Sequence, residues 1–266
     1  MGKLFARAGL AVSVLGRSLV RAQEAARFIG AASVSERVAR TDLVLLAVPD
    51  DAIAGVVASL SEVEGSLVVH LSGSLSSEVL APSRKKGART GALHPLRSFA
   101  DPGAAAEAFR GTYCAVEGEA SEELAELVRA IGGVPLRVRP EGKALYHAGA
   151  VFASNYLVAS LEAALRLFEA AGISREEAAP ALGVLAEGTI RNVSRIGIPA
   201  ALSGPIERGD VATIRRHAEA MRDRVPALSG LYTELARVTC EVALAKGSID
   251  RDRAGEVLGS LGEGRR

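Results

Sequence analysis

The sequence predicts an α/β domain with a mostly parallel sheet, followed by an all-helical domain. Short apolar segments alternate with helical patterns up to about residue 140, several of those segments are apolar throughout, and only helical patterns follow Glu141. Strands that are apolar on both faces are typical of sheets covered by helices on each side, and strand–helix alternation favours parallel pairing with crossovers. We therefore predict domains at 1–140 and 141–266.

The predicted elements follow one another in a regular order. Strands are predicted at 11–16, 43–48, 66–72, 89–94, 113–118 and 135–139. Helices of the first domain are predicted at 19–29, 51–60, 76–86 and 121–131. In the second domain, helical patterns cover 141–171, 175–193, 208–222 and 225–246. From about Ser248 we expect a short helix and a frayed end.

Composition limits the classes of function. The 266 residues carry a formal net charge of +1 without a long basic or acidic block, which argues against nucleic acid or an anionic membrane surface as a partner. Cys114 and Cys240 lie far apart in apolar segments and the histidines lack ligand spacing, so we predict a cytoplasmic protein with reduced thiols and no metal. The apolar run at 8–15 is too short for an export signal, and we expect no membrane helix.

The N-terminal segment carries only part of a nucleotide-binding motif. In a doubly wound sheet, the first strand runs into a G-x-G-x-x-G turn whose amides, with the next helix, hold a diphosphate. Here Gly2 is followed by an amphipathic turn and then by the strand at 11–16. That is the order of elements that normally follows the third glycine of the motif, so the first strand and the first two glycines are missing. Without a first strand, 11–16 and 43–48 each lose a neighbour. We expect an upstream start with Met1 internal; alternatively the two strands close the gap, or the fold is damaged.

Arg17 and Ser18 are candidates for contacts with the cofactor. They follow the strand at 11–16, where sites that prefer NAD carry an acidic residue. An arginine and a hydroxyl at this point favour the 2′-phosphate of NADP(H). Ser18 is equally suited to cap the helix that follows, with Arg17 solvated.

Two further loops follow predicted strands, where ligands bind in this architecture. The first contains Val48, Pro49 and Asp50, which we assign to the cofactor. The second contains Ser72 as a catalytic candidate, Gly73 for the cofactor and Ser74 for the substrate. A proline followed by an aspartate also suits a helix start, and a glycine between serines also suits an ordinary turn.

Five segments, in this order, resemble one known family. They are LLAVPDDAI (45–53), VVHLSGSLS (68–76), GALHPLRSFADP (91–102), YHAGAVFASNYLVA (146–159) and LSGPIERGD (202–210). They are similar to proteins that join a Rossmann-like domain to a domain of unknown function called DUF2520. That family resembles 6-phosphogluconate-dehydrogenase-like and prephenate-dehydrogenase-like enzymes, which bind a nicotinamide between two such halves. Some relatives are regarded as ketopantoate reductases, so the resemblance implies an NADP(H) oxidoreductase.

His94 is the first catalytic candidate. Its segment resembles the Gly-x-His-Pro segment of prephenate dehydrogenases, in which the histidine contacts the reacting hydroxyl. A histidine exchanges protons near neutral pH, although His94 is also suited to shape the turn through a backbone bond. Arg97 and Ser98 follow on the same loop and suit a substrate carboxylate.

The long helix carries a second group of candidates. Lys143, His147, Val151 and Asn155 are spaced by four and share one face. Related hydroxyacid dehydrogenases place a catalytic lysine one turn before an asparagine, and Val151 stands where that lysine would be. We take Asn155 as a catalytic candidate, because a buried amide needs a partner. His147 is a candidate for substrate binding or a packing residue, and Lys143 lies further from Asn155.

These observations lead to one functional hypothesis with alternatives. We predict an NADP(H)-dependent oxidoreductase acting on a small 2-oxo or 2-hydroxy acid, with ketopantoate as the first choice. The alternatives are a prephenate- or arogenate-like dehydrogenase and a catalytically silent nucleotide-binding or scaffold protein. Helices such as 151–171 carry more apolar surface than one small domain covers, so we predict a homodimer through the helical half. Arg208 reaches either the substrate or a partner subunit, or lies at the surface.

Overall fold

The computed structural model describes residues 1–31, 33–35 and 37–262. An α/β half is followed by an all-helical half, which confirms the predicted fold class. Two compact units divide after Asn155 rather than near residue 140. The division comes later because the helix that begins at Lys143 places side chains against the sheet of the first unit.

The strands of the first unit lie close to their predicted positions. They are β1 Ser13–Val14, β2 Ser33–Val34, β3 Leu43–Leu46, β4 Leu67–His70, β5 Arg89–Pro95, β6 Tyr113–Glu117 and β7 Val134–Arg137. The sequence analysis did not predict β2, and β1 is shorter than the strand predicted at 11–16. Both strands have only two residues, which is too short for a clear alternation of apolar and polar positions.

The helices of the first unit are short. They are α1 Gly2–Arg7, α2 Leu19–Ile29, α3 Asp50–Ser59, α4 Ala81–Arg84, α5 Pro102–Glu107, α6 Ser121–Ala130 and α7 Lys143–Ala153. Two 3-10 helices, Ser77–Leu80 and Pro140–Gly142, precede α4 and α7. The predicted helix at 76–86 is therefore a 3-10 turn followed by a single α-helical turn. Pro82 in the first turn of α4 fits this change, because a proline at a helix start breaks no backbone hydrogen bond.

The sheet of the first unit is divided in two. β1 and β2 pair in parallel, apart from a five-stranded sheet in the order β3-β4-β5-β6-β7. All neighbours in the larger sheet are parallel except β5 and β6. Within the part of the chain that the structure describes, β1 does not pair with β3, so the alternative in which these strands close the gap is wrong.

The larger sheet is buried on both faces, as its apolar strands predict. Along β4, Leu67 and Val69 join one core cluster with β5, β6 and α6, whereas Val68 joins the other with β3 and α3. This alternation is the period of two that a pleated strand imposes. His70 is the last residue of β4 and is fully buried, so one polar side chain lies in the interior at the carboxyl edge of the sheet.

The second unit consists of helices. They are α8 Asn155–Ala170, α9 Arg175–Ile196, α10 Ile198–Ala201, α11 Val211–Arg224, α12 Ser229–Lys246 and α13 Arg251–Gly262, with a 3-10 turn at Pro226–Leu228. The stretch predicted as one helix at 141–171 is two helices, because regular geometry breaks at Ser154. The core forms between α11, α12 and α13, around Ile214, Cys240 and Val257. Within the described chain, α8 has no buried residue.

One helical segment, Pro140–Ala170, is long and apolar enough to cross a membrane by length and composition. The expectation of no such run was wrong, because residues 144–161 contain no Asp, Glu, Lys or Arg. None of the apolar window is buried within the structure. Length and composition do not separate a membrane helix from a helix covered by another protein chain, so the absence of a membrane partner stays a prediction.

Candidate active site

Three neighbouring strands carry polar residues to one edge of the larger sheet. β3, β4 and β5 run parallel, so the segments that follow β3 and β4 and the residue His94 near the end of β5 meet there. α7 adds side chains from its first two turns, at positions i, i+3 and i+4, which share one helix face. We call this group the strand-end cluster. It consists of Asp50, His70, Ser72, Gly73, Ser74, His94, Lys143, Tyr146 and His147.

Asp50 holds the loop after β4. Its Oδ2 accepts hydrogen bonds from the hydroxyls of Ser72, at 2.7 Å, and Ser74, at 2.8 Å. Burial raises the pKa of the Asp50 carboxyl. The hydrogen bonds from the two hydroxyls and the charges of His70 and His147 lower it by a larger amount, so the pKa lies below its ordinary value. Asp50 is therefore ionised at neutral pH and fixes both serines.

The loop after β4 is also bonded to itself. The Ser72 hydroxyl accepts the amides of Ser74 and Leu75 at 3.2 and 3.0 Å. Ser72 is buried, and its hydroxyl donates to Asp50. Both the donor and the acceptor capacity of the hydroxyl are therefore in use, so its position in the structure is that of a loop organiser.

His70 binds the same loop through both of its ring nitrogens. Its Nδ1 accepts the Ser72 amide at 3.2 Å and its Nε2 donates to the carbonyl of Ser76 at 3.2 Å. Burial lowers the pKa of His70 to about 4, with a further lowering by Lys143. His70 is thus neutral at pH 7 with one defined tautomer. The sequence analysis did not single it out, because a histidine inside an apolar strand has no distinguishing spacing.

His94 and Tyr146 form the central pair. His94 Nδ1 lies 2.8 Å from the Tyr146 hydroxyl, and the rings meet edge to face with centroids 5.7 Å apart. Burial, followed by the charges of Lys143 and His147, lowers the pKa of His94 to about 4. Burial raises the pKa of Tyr146 to about 12. Both groups are neutral at pH 7, and Nε2 is the His94 nitrogen left for a ligand.

Gly73 lies where two imidazole rings converge. A Cβ on Gly73 would lie 2.4 Å from His147 Nδ1 and 2.9 Å from His94 Nε2. Atoms essentially never approach so closely, so only glycine fits between these rings. The backbone of the β4 loop therefore sets the distance between the two histidines.

Lys143 and His147 complete the cluster from α7. Lys143 is 1% exposed, and the charges of Glu117 and Asp50 act on it. Among the residues that the structure describes, neither Lys143 Nζ nor His147 Nδ1 has a hydrogen-bond partner. The sequence analysis placed Lys143 too far along the helix to matter. The helix face that packs on the sheet is defined by Lys143, Tyr146 and His147, and their spacing was the available signal.

Three predicted residues do not join these contacts. Arg97 is exposed, and its guanidinium donates to the Thr112 hydroxyl at 3.3 Å. Ser98 on the same loop is also exposed. Asn155 is exposed within this chain, where α8 begins with no buried residue of its own, so its catalytic role stays a prediction. A polar amide in an apolar run needs a partner only where tertiary packing covers it.

Arg208 belongs to the second unit. It is exposed and lines a cavity of about 620 Å³ together with residues of the α12–α13 connection and of α13. The charge of Arg208 acts on Asp210, whose side chain caps α11.

The residues predicted for the cofactor fit NADP(H) in part. Arg17 is exposed after β1, where an adenosine ribose lies in this architecture, and Ser18 caps α2 by accepting the Arg21 amide at 3.4 Å. Val48 is half-buried and the exposed Pro49 immediately precedes α3. Gly2 begins α1, which has six residues. A strand leading into a glycine-rich turn, which holds the diphosphate, is not among the described residues.

Across residues 1–31, 33–35 and 37–262, no group of three or more His, Cys, Asp or Glu side chains is placed to hold a metal ion. The prediction that the protein uses no metal stays a prediction.

Comparisons with known proteins agree with this architecture. The Rossmann-like domain family matches residues 1–95, and the domain of unknown function DUF2520 matches residues 112–239. No protein among the curated ones matches the chain.

Solved structures with this fold include oxidoreductases. Protein TM1727 of Thermotoga maritima is 27% identical, with a TM-score of 0.76 over 92% of this chain and 95% of that chain. A candidate NADP oxidoreductase of Bacteroides fragilis, BF3122, is 23% identical, with a TM-score of 0.67 over 90% and 92%. An imine reductase of Myxococcus stipitatus in complex with NADP+ is 17% identical, with a TM-score of 0.66 over 98% and 94%.

The fold places the chain beside a class of solved structures. It has the two-part fold found in structures of oxidoreductases, including an imine reductase in complex with NADP+ and a reductive aminase in complex with NADPH. More particularly, the chain joins a Rossmann-like domain to a DUF2520 domain, as its sequence motifs indicate.

Proposed function

We propose that this protein is a cytoplasmic NADP(H)-dependent reductase of a small 2-oxo acid, with ketopantoate as the first substrate to test. The observation that carries the proposal is the neutral His94–Tyr146 pair at the carboxyl edge of the sheet, where ligands bind in open α/β folds. Two buried free cysteines support a reducing compartment.

His94 is suited to stabilise the oxygen of a carbonyl during its reduction. A bound nicotinamide would supply the hydride, negative charge would develop on the carbonyl oxygen, and a proton from solvent would complete the product hydroxyl. Tyr146 stays a phenol at neutral pH and can donate to His94 Nδ1; we assign this direction to the bond and, with it, the ring proton to Nε2. Nε2–H then donates to the substrate oxygen, in the manner of a neutral imidazole that polarises a carbonyl.

The proposal requires a diphosphate site, and the divided sheet shows where one would lie. β1 and β3 each have a paired neighbour on one side, which is the pattern expected where a central strand lies between them. A chain that carries a short apolar strand and a G-x-G turn ahead of residue 1, here called the extended chain, tests this part of the proposal. Binding of NADPH that is no tighter in the extended chain than in the present one would contradict it.

The cofactor assignment is tested by titration with NADPH and NADH. We expect the extended chain to bind NADPH, and Arg17→Ala to weaken NADPH binding about ten- to 100-fold while NADH binding changes little, because one charge-assisted bond to the 2′-phosphate is lost. Arg27→Ala on the exposed side of α2 is the matched control and keeps both affinities. Equal losses for both cofactors in Arg17→Ala would show that Arg17 does not contact the phosphate.

The substrate assignment is tested by turnover of the same extended chain. Ketopantoate and prephenate are compared with NADPH and NADP+ respectively, because the segment around His94 also resembles that of prephenate dehydrogenases. Oxidation of prephenate alone would assign the alternative dehydrogenase. Binding of neither nicotinamide cofactor would leave the silent nucleotide-binding or scaffold protein.

The protein is further proposed to be a homodimer through its helical half. On α8 and α9, Val158, Val184 and Leu185 are each about two-thirds exposed, at 67%, 69% and 66%. Glu162 of α8 is paired with Arg175 inside the same unit, so this surface presents little unpaired charge. Monomers rarely expose such patches, and a net charge of +1 does not oppose self-association.

The dimer is tested by gel filtration with light scattering. We expect a mass twice that of the chain, and Val184→Glu with Leu185→Glu to shift it towards a monomer by placing charges in the interface. Glu219→Lys with Asp223→Lys, at exposed acidic positions of α11 and away from α8 and α9, is the matched control. A monomer at all concentrations, or recovery only from detergent-solubilised membranes, would contradict the proposed dimer.

A further inference from the structure

Lys143 is a buried cation without a direct anionic partner. Its side chain is 1% exposed and its Nζ has no hydrogen-bond partner among the described residues. The two carboxylates whose charges act on it are Glu117 and Asp50, and both are already engaged. Glu117 accepts the amide of Ser77, and Asp50 accepts two serine hydroxyls. A buried ammonium without a hydrogen-bonded counter-charge is strongly unfavourable, so a functional reason for retaining it is expected.

His147 presents a second unpartnered nitrogen one helical turn later. It follows Lys143 by four residues on α7, so both side chains lie on the same helix face. His147 Nδ1 is buried and has no hydrogen-bond partner within the described chain. Its ring centroid lies 5.8 Å from that of His94. The cluster therefore holds two unsatisfied nitrogens close to the imidazole that is proposed to polarise the carbonyl.

The charges around Lys143 favour its ammonium form. Burial lowers the pKa of Lys143, while the charges of Glu117 and Asp50 raise it and oppose that effect. Burial and the charge of Lys143 lower the pKa of both His70 and His94 to about 4. Additional positive charge on His70 and His94 is thus disfavoured. A ligand with an anionic oxygen would give the ammonium the hydrogen-bond partner that it lacks.

We propose that Lys143 and His147 form an anion-binding subsite that takes the carboxylate of the substrate. This inference rests on the proposed function and deepens it by assigning the residues that hold the carboxylate of the 2-oxo acid. The carboxylate accepts from Lys143 Nζ and His147 Nδ1, while the neighbouring oxygen accepts from His94 Nε2. The flexible four-carbon stem of lysine lets the ammonium follow the ligand. Arg97, which the sequence analysis assigned to this task, donates instead to Thr112.

The subsite is tested by binding of oxamate, an unreactive analogue of a 2-oxo acid, to the protein without a nicotinamide. We expect calorimetry to show binding that Lys143→Met weakens at least tenfold and that Lys143→Arg weakens less, because arginine keeps the charge. Lys85→Met, at an exposed lysine beside α4, is the control and leaves binding unchanged. Equal affinity in wild type and Lys143→Met, or no binding by wild type, would overturn the subsite.

Thermal unfolding separates this role from a structural one. Without oxamate, we expect Lys143→Met to unfold at a higher temperature than wild type, because a buried charge is replaced by an apolar chain of similar length. A lower unfolding temperature would show that Lys143 stabilises the fold and would overturn the inference. Oxamate binding without turnover of any 2-oxo acid would leave the subsite intact and reject the reductase. Turnover with an unchanged KM in Lys143→Met would reject the subsite and leave the proposed reductase intact.

Discussion

His94→Ala is expected to lower turnover by about 100- to 1,000-fold, the effect of removing one preorganised donor to a developing oxyanion. The donor is His94 Nε2, which the Tyr146 hydroxyl fixes through its bond to Nδ1. Because His94 is neutral at pH 7, it acts as a hydrogen-bond donor whose loss affects the chemical step. The measurement is kcat and kcat/KM with NADPH and ketopantoate, and we expect both to fall together.

The structure offers a matched pair for this experiment. In the second unit, His217 Nδ1 lies 2.9 Å from the Tyr232 hydroxyl, and the rings again meet edge to face. His217→Ala removes the same kind of contact outside the strand-end cluster and is expected to keep turnover. Tyr146→Phe keeps the ring and loses only the bond to His94, so a smaller loss of about tenfold is expected. A larger loss in His147→Ala than in His94→Ala would contradict the assignment of the donor.

The sequence predicts the larger sheet well because its strands have an unambiguous pattern. β4 is a continuous apolar run, as a strand buried on both faces requires, and it lies inside the predicted segment at 66–72. The break at Ser154 was not predictable in the same way. The apolar pattern continues from α7 into α8 without proline, so nothing local indicates where the helix ends.

In the candidate site, too, some residues were predictable from local sequence patterns and others were not. Asp50, Gly73 and His94 were found because strands β3, β4 and β5 were predicted, and their carboxyl ends are where an open parallel sheet collects ligand contacts. Tyr146 and Lys143 were missed because the face of α7 that packs on the sheet is decided by tertiary contacts. The spacing by four pointed to Asn155, whereas the residues in contact with the sheet lie in the first two turns of α7.

β1 and β3 lie in separate sheets, which removes one of the alternatives that the sequence leaves open. From the sequence, three outcomes were open for the strands at 11–16 and 43–48. The structure keeps them in separate sheets and shortens the first to Ser13–Val14. The two alternatives that remain are an upstream strand between them and a damaged fold.

Gly73→Ala is expected to lower kcat about 100-fold while the protein stays folded. The added Cβ would lie 2.4 Å from His147 Nδ1 and 2.9 Å from His94 Nε2, so at least one ring must move. Both nitrogens belong to the proposed substrate site, and a displacement of about 1 Å in a catalytic group is enough for a loss of this size. The measurement is kcat for Gly73→Ala, together with circular dichroism and the unfolding temperature.

Gly55→Ala is the control for the effect of a methyl group alone. Gly55 is exposed on α3, and a methyl group added there would meet no atom within 4 Å outside the helix itself. Because alanine favours helix over glycine by about 1 kcal/mol, this variant is expected to keep its turnover and to unfold at a slightly higher temperature. Unchanged turnover in Gly73→Ala would show that the two histidines are not held against the β4 loop during the reaction. Their convergence at Gly73 would then have no part in catalysis, and the substrate site would have to lie elsewhere on the sheet edge.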